Sequence, residues 1–186
     1  MAIQIITWMS AFLCLVQVFS MPMPCHLQGQ LVRTTYDLLR DMGGHFPMEC
    51  LQENVFMEFP ATAFATSGGP QVRASEHAIY ETLKNIDTLF GTDELPTMWD
   101  QQKLEYFQNI VYRQIEESKC MMSSVDTSDY PIRAEGLKTY FGNIAAVLKE
   151  KNSSYCAWEV VRKELLYTIE FILKHNSDSL LWSNRS

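Results

Sequence analysis

The sequence predicts an all-α protein: a bundle of five helices with a long first crossover loop. Three observations predict it. Apolar residues recur at three- and four-residue spacing in five separate stretches. Period-two alternation never persists, and no Asn-Gly or Asp-Gly turn joins two β-rich runs. A connection of more than twenty residues separates the first two helical stretches. Helices that run parallel need such a crossover, whereas up-and-down neighbours need only short turns.

The first stretch aligns Leu27, Leu31, Thr34, Leu38 and Met42, and Gly43-Gly44 closes it as C-terminal glycines do. The second aligns Val72, Ile79, Leu83, Ile86 and Phe90 and stops at Gly91. The third is expected to start near Thr97, where Thr97 to Asp100 resembles a capping box, and aligns Leu104, Phe107, Val111, Ile115 and Met122. The fourth begins at Pro131, an accepted first-turn residue, and aligns Leu137, Tyr140, Phe141, Ile144 and Leu148. The fifth follows Asn152-Ser153-Ser154, aligns Trp158, Val161, Leu165, Ile169 and Ile172, and frays after His175.

Composition narrows the function. Hydrophobic residues are 47% and charged residues 20% of the 186, ordinary for one globular domain. The net charge of −7 repels nucleic acid phosphates and anionic lipid heads, so neither is expected as a partner. Residues 1–20 carry no charged side chain and include Ile5, Ile6, Phe12, Leu13 and Leu15. With Val18 and Ser20 small enough for a cleavage site, they read as a signal peptide, too short and interrupted to span a membrane. Met21-Pro22-Met23-Pro24 then prevents helix continuation. Residues 21–186 are expected to form one secreted domain.

Removing residues 1–20 removes Cys14 and leaves Cys25, Cys50, Cys120 and Cys156. An even number in a secreted chain suggests two disulfides, and the spacing excludes common zinc patterns. Three pairings remain open at this point. Asn152-Ser153-Ser154 and Asn184-Arg185-Ser186 are N-glycosylation sequons, with Asn152 the expected acceptor.

No catalytic or metal constellation accompanies this frame. GxSxG, GxGxxG and GxxxxGK are absent, and no Glu-x-x-His pair stands on the helices. His26, His45, His77 and His175 are dispersed and read as surface residues. Glu116 and Glu117 are adjacent, so they face different ways on a helix. No enzyme activity, cofactor or small-molecule substrate is expected.

Residues 156–162 read Cys-Ala-Trp-Glu-Val-Val-Arg, preceded by Tyr140-Phe141 and by Leu148-Lys149-Glu150-Lys151. This run resembles the C-terminal signature of type I interferons. The segment from Cys50-Leu51 to Phe59-Pro60 resembles that family's first long loop. The chain looks most like the four-cysteine group of the fish branch. The resemblance implies a helical cytokine bundle and an antiviral ligand that bridges two class II cytokine receptor chains, the two-chain type I interferon receptor. It also implies the pairing Cys25–Cys120 and Cys50–Cys156, the second bridge pinning the long loop to the last helix.

The resemblance further implies a high-affinity receptor surface on the first helix, the long loop and the last helix, with a second surface on helices two and three. Arg162, within the identical motif, is the expected anchor, and Lys163, Leu166, Tyr167 and Glu170 match the receptor-contacting strip in position. In the loop, Phe59 matches a family aromatic, and Asn54 stands where mammalian members carry an arginine. Rival readings are another class II helical cytokine with a different receptor pair and a secreted bundle carrying a small molecule in an internal cavity.

Overall fold

The computed structural model describes residues 25–65, 70–124 and 130–182. The expected signal peptide, Cys14, Gly68, Gly69 and Asn184 lie outside the described residues, as does the side chain of Val72. Among the described residues there are five long helices: α1 (Gly29–Gly43), α2 (Pro70–Phe90), α3 (Gln101–Ser118), α4 (Tyr130–Glu150) and α5 (Tyr155–His175). No named strand occurs among the described residues; one isolated parallel bridge joins Gln28 and Leu181.

The helix ends show why the chain breaks where it does. Gly44 takes φ 66°, the left-handed region that glycine enters without a Cβ penalty, and closes α1. Ser154 accepts the Ala157 N–H and caps α5. The expected start of α3 near Thr97 is corrected. Asp100 is itself the N-cap, accepting Gln102 N–H and Lys103 N–H at 3.1 Å each, so the helix begins at Gln101. Met122 lies past the end of α3, in a 3₁₀ turn.

Cross-helix contacts set the topology. The Asp100 N–H donates to Met42 O, Gln114 to Thr35, and Gln28 to Glu117, so α1 and α3 run antiparallel. Gln108, in the first half of α3, reaches Phe90 O at the end of α2, so these two are also antiparallel. It follows that α1 and α2 are parallel, and the first connection must travel the length of the bundle. It does so through short 3₁₀ turns at Met48–Glu53 and Ala61–Phe64. Arg162 near the start of α5 meets the carbonyls of Leu39 and Arg40 near the end of α1, so α5 is antiparallel to α1.

The expected stripes of α2, α4 and α5 are the buried ones wherever a side chain is described. For α1 the stripe is rotated: Val32, Thr35, Leu39 and Met42 are buried, with Leu31, Thr34 and Leu38 on the flank. Both sets have helical spacing, and Thr35 wins its core place because its hydroxyl meets Gln114 Nε2 at 2.8 Å. His77 is also corrected, being 2% exposed and not a surface residue; burial pushes its pKa below the usual histidine value.

The core is aromatic at one end. Phe90 contacts Trp99, Phe107 and Trp158, and Trp99 meets Trp158 edge to face at 5.9 Å between centroids. Trp158 is fully buried and donates its indole N–H to Glu94 O. Two cross-links close the structure, Cys25–Cys120 and Cys50–Cys156, with Cα separations of 5.9 and 5.1 Å.

Candidate functional site: the first loop against the last helix

The Cys50–Cys156 bridge brings the first loop alongside α5. Residues 54–59 then run along the helix, and their side chains alternate. Val55, Met57 and Phe59 turn inward, while Asn54, Phe56 and Glu58 turn outward. Phe59 is the hub of the inner row. Its ring lies 5.5 Å from Phe64, 5.6 Å from Tyr140, 5.2 Å from Tyr167 and 4.8 Å from Phe171.

Polar contacts fix the same segment. Lys163 Nζ donates to Asn54 Oδ1 at 2.5 Å and to Val55 O at 3.3 Å, and pairs with Glu164 at 2.8 Å. Lys151 reaches Glu53 at 3.1 Å. Further on, Arg133 donates to Ala63 O and Ala65 O, and the Asn176 carboxamide donates to Phe64 O at 2.7 Å. Loop backbone that would otherwise lose ordering entropy on binding is therefore already held.

On α5, Lys163 and Leu166 are half-buried, Tyr167 is exposed, and Glu170 makes a solvent-screened pair with Lys174 at 2.7 Å. Tyr167 stands edge-on against Phe59 with half its surface free. These residues, Asn54 and Phe59 form one continuous region. Arg162 does not belong to its outer surface: it is 1% exposed. Its Nη2 meets Glu159 Oε2 at 2.6 Å, and its Nη1 donates to Leu39 O and Arg40 O, two carbonyls near the C-terminal end of α1. Glu159 is itself fully buried and accepts the Trp99 indole N–H at 2.6 Å. Arg162 thus positions three elements from within, beneath the surface on which Lys163, Tyr167 and Asn54 lie.

Phe56 carried no expectation beyond its place in the loop. It is 94% exposed between two inward residues, Val55 and Met57. The signal was available in the alternation of residues 54–59, which marks even-numbered positions as outward. A large aromatic left in water on an immobilised segment is the kind of side chain that binding interfaces use.

A model of the interferon alpha/beta domain family matches residues 25–178, nearly the whole described chain. The chain belongs to the type I interferon family. Human interferon alpha-7 is 30% identical over 141 residues, covering 72% of this chain and 73% of its own length. Horse interferon alpha-1 is 33% identical over 136 residues, covering 69% and 72%. Among solved structures, zebrafish interferon 2 superposes with a TM-score of 0.76 at 42% identity, covering 81% of this chain and 99% of that one. Zebrafish interferon 1 shares the fold at a TM-score of 0.61 and 23% identity. This interferon is fish-like, a cytokine with an antiviral role, and its family is not enzymatic. Among the described residues no helix is long and apolar enough to cross a membrane.

Proposed function

We propose that this chain is secreted as residues 21–186 and bridges two class II cytokine receptor chains. Bridging brings their intracellular kinases together and starts antiviral gene induction. The first loop and α5 form the high-affinity surface, with Phe56, Tyr167 and Asn54 outermost, Lys163 and Glu170 alongside, and Phe59 and Leu166 packed beneath. The second receptor chain takes the opposite face, where α3 exposes Tyr106 and Tyr112.

One observation carries the reading. The loop is clamped to α5 by a disulfide, by Lys163 on Asn54 and by the Phe59 cluster, yet the clamp leaves Phe56 almost wholly in water. Preorganisation of this kind lowers the entropic cost of docking. The charge supports the same partner class, since a −7 ligand is poorly suited to nucleic acid or anionic lipid.

The test is to add purified, refolded protein to responsive fish cells and measure antiviral transcripts while blocking each candidate receptor ectodomain in turn. Loss of induction on blocking either of two chains supports bridging. Full induction with every class II receptor blocked removes it.

A further inference from the structure

The α4–α5 turn carries a motif that the receptor surface does not use. Residues 152–154 read Asn-Ser-Ser, the acceptor sequon for N-linked glycosylation in a secreted chain. Asn152 sits in the turn with φ 48°, followed by Ser153 at φ 49°. Asn152 is exposed, and its carboxamide takes no part in the hydrogen bonds of the described residues. Its neighbours are committed: Ser153 Oγ donates to Glu94 Oε2 at 2.5 Å, and Ser154 Oγ accepts the Ala157 N–H at 3.2 Å.

We propose that Asn152 carries an N-linked glycan, an inference that rests on the secretory reading above. The donor is a lipid-pyrophosphate-linked oligosaccharide. Asn152 Nδ2 bonds to the anomeric carbon, the bond from that carbon to the phosphate oxygen breaks, one amide proton leaves, and the lipid pyrophosphate departs. In the folded chain the sequon hydroxyl of Ser154 is occupied as the cap of α5. Attachment before α5 is capped leaves that hydroxyl free.

The folded structure accommodates the product. The exposed Asn152 side chain roots the sugar at the end of the bundle where α4 meets α5. The preceding residue, Lys151, pairs with Glu53 beside Asn54, so the glycan borders the candidate receptor surface without replacing Phe56 or Tyr167 in it.

The full chain is expressed in eukaryotic cells, and the medium is treated with peptide N-glycosidase in heavy-oxygen water. Peptide mapping is expected to find heavy-oxygen aspartate at position 152. Asn152→Gln and Ser154→Ala lose the gel shift, whereas Ser154→Thr, which keeps both hydroxyl and cap, retains it. Protein recovered from the medium with its disulfides formed and Asn152 unmodified overturns the glycan and leaves secretion standing. So does a glycan confined to Asn184. A chain retained unglycosylated in the cytosol overturns both.

Discussion

Arg162 and Glu159 form a buried ion pair one helical turn apart on α5, 2.6 Å between Nη2 and Oε2, with side chains 2% and 0% exposed. The pair is shared across the fold. Glu159 also holds the Trp99 indole, and Arg162 also holds two carbonyls of α1. Burying two charges is compatible with stability only because nearly every partner position is filled.

Arg162→Ala is therefore expected to destabilise the protein by about 3–5 kcal/mol, since it leaves a carboxylate buried without its countercharge. A surface anchor would change stability within about 0.5 kcal/mol. Urea unfolding decides between them. The Glu159→Ala, Arg162→Ala double variant is expected to cost clearly less than the sum of the singles.

Phe56 and Phe59 are expected to separate binding from stability. Phe56→Ala leaves the unfolding midpoint unchanged and weakens receptor binding by about 1–3 kcal/mol. Phe59→Ala removes a ring that touches Phe64, Tyr140, Tyr167 and Phe171. It lowers stability by about 2–3 kcal/mol, below the range for a fully buried Phe because this ring is half-buried. Chemical denaturation and surface plasmon resonance on the same two variants read both effects.

The stretch entering α1 and the stretch leaving α5 are tied together at the other pole of the bundle. Leu181 exchanges backbone hydrogen bonds with Leu27 and Gly29 at 2.8 Å each, and Trp182 covers Gly29 so closely that an added Cβ would lie 2.5 Å from its ring. Gly29→Ala is expected to push the indole outward, breaking its 3.0 Å hydrogen bond to Ser177 O. The readout is a red shift in tryptophan emission with a loss of about 1 kcal/mol. In a Trp182→Ala background the same change is expected to cost almost nothing.

Tyr140 supplies a pH dependence. Burial pushes its hydroxyl well above the ordinary tyrosine range; the Thr168 hydrogen bond opposes this and the Glu164 charge adds to it. A group whose pKa is raised by folding contributes stability that is fully present below its unfolded value. Stability should thus fall as pH rises above about 10, where the unfolded chain ionises first. Tyr140→Phe is expected to flatten that alkaline slope while costing about 1 kcal/mol at neutral pH.

The helices were legible because their signals are local. Gly44 needs a left-handed conformation, Ser154 caps, and the stripes of α2, α4 and α5 each have one reading. Arg162 was not legible, for a reason that lies on another helix. Its space exists because Gly43 has no Cβ; one placed there would sit 2.5 Å from Arg162 Nε. Read along α1 alone, Gly43 is only a helix stop. On a wheel of α5, Arg162 merely flanks the apolar stripe. Neither view shows that the two positions meet. The rotation of the α1 stripe has a similar cause: a polar pair, Thr35 and Gln114, occupies a core position. Phe56 is legible only through the alternation of the loop, which a residue-by-residue resemblance does not convey.

The central claim is that the clamped first loop and α5 together dock on one receptor chain. Hydrogen exchange measured with and without a soluble high-affinity receptor ectodomain tests it most directly. The account predicts new protection over residues 52–60 together with the stretch of α5 around Tyr167. Protection confined to α2 and α3, with the loop exchanging as freely as before, would contradict it.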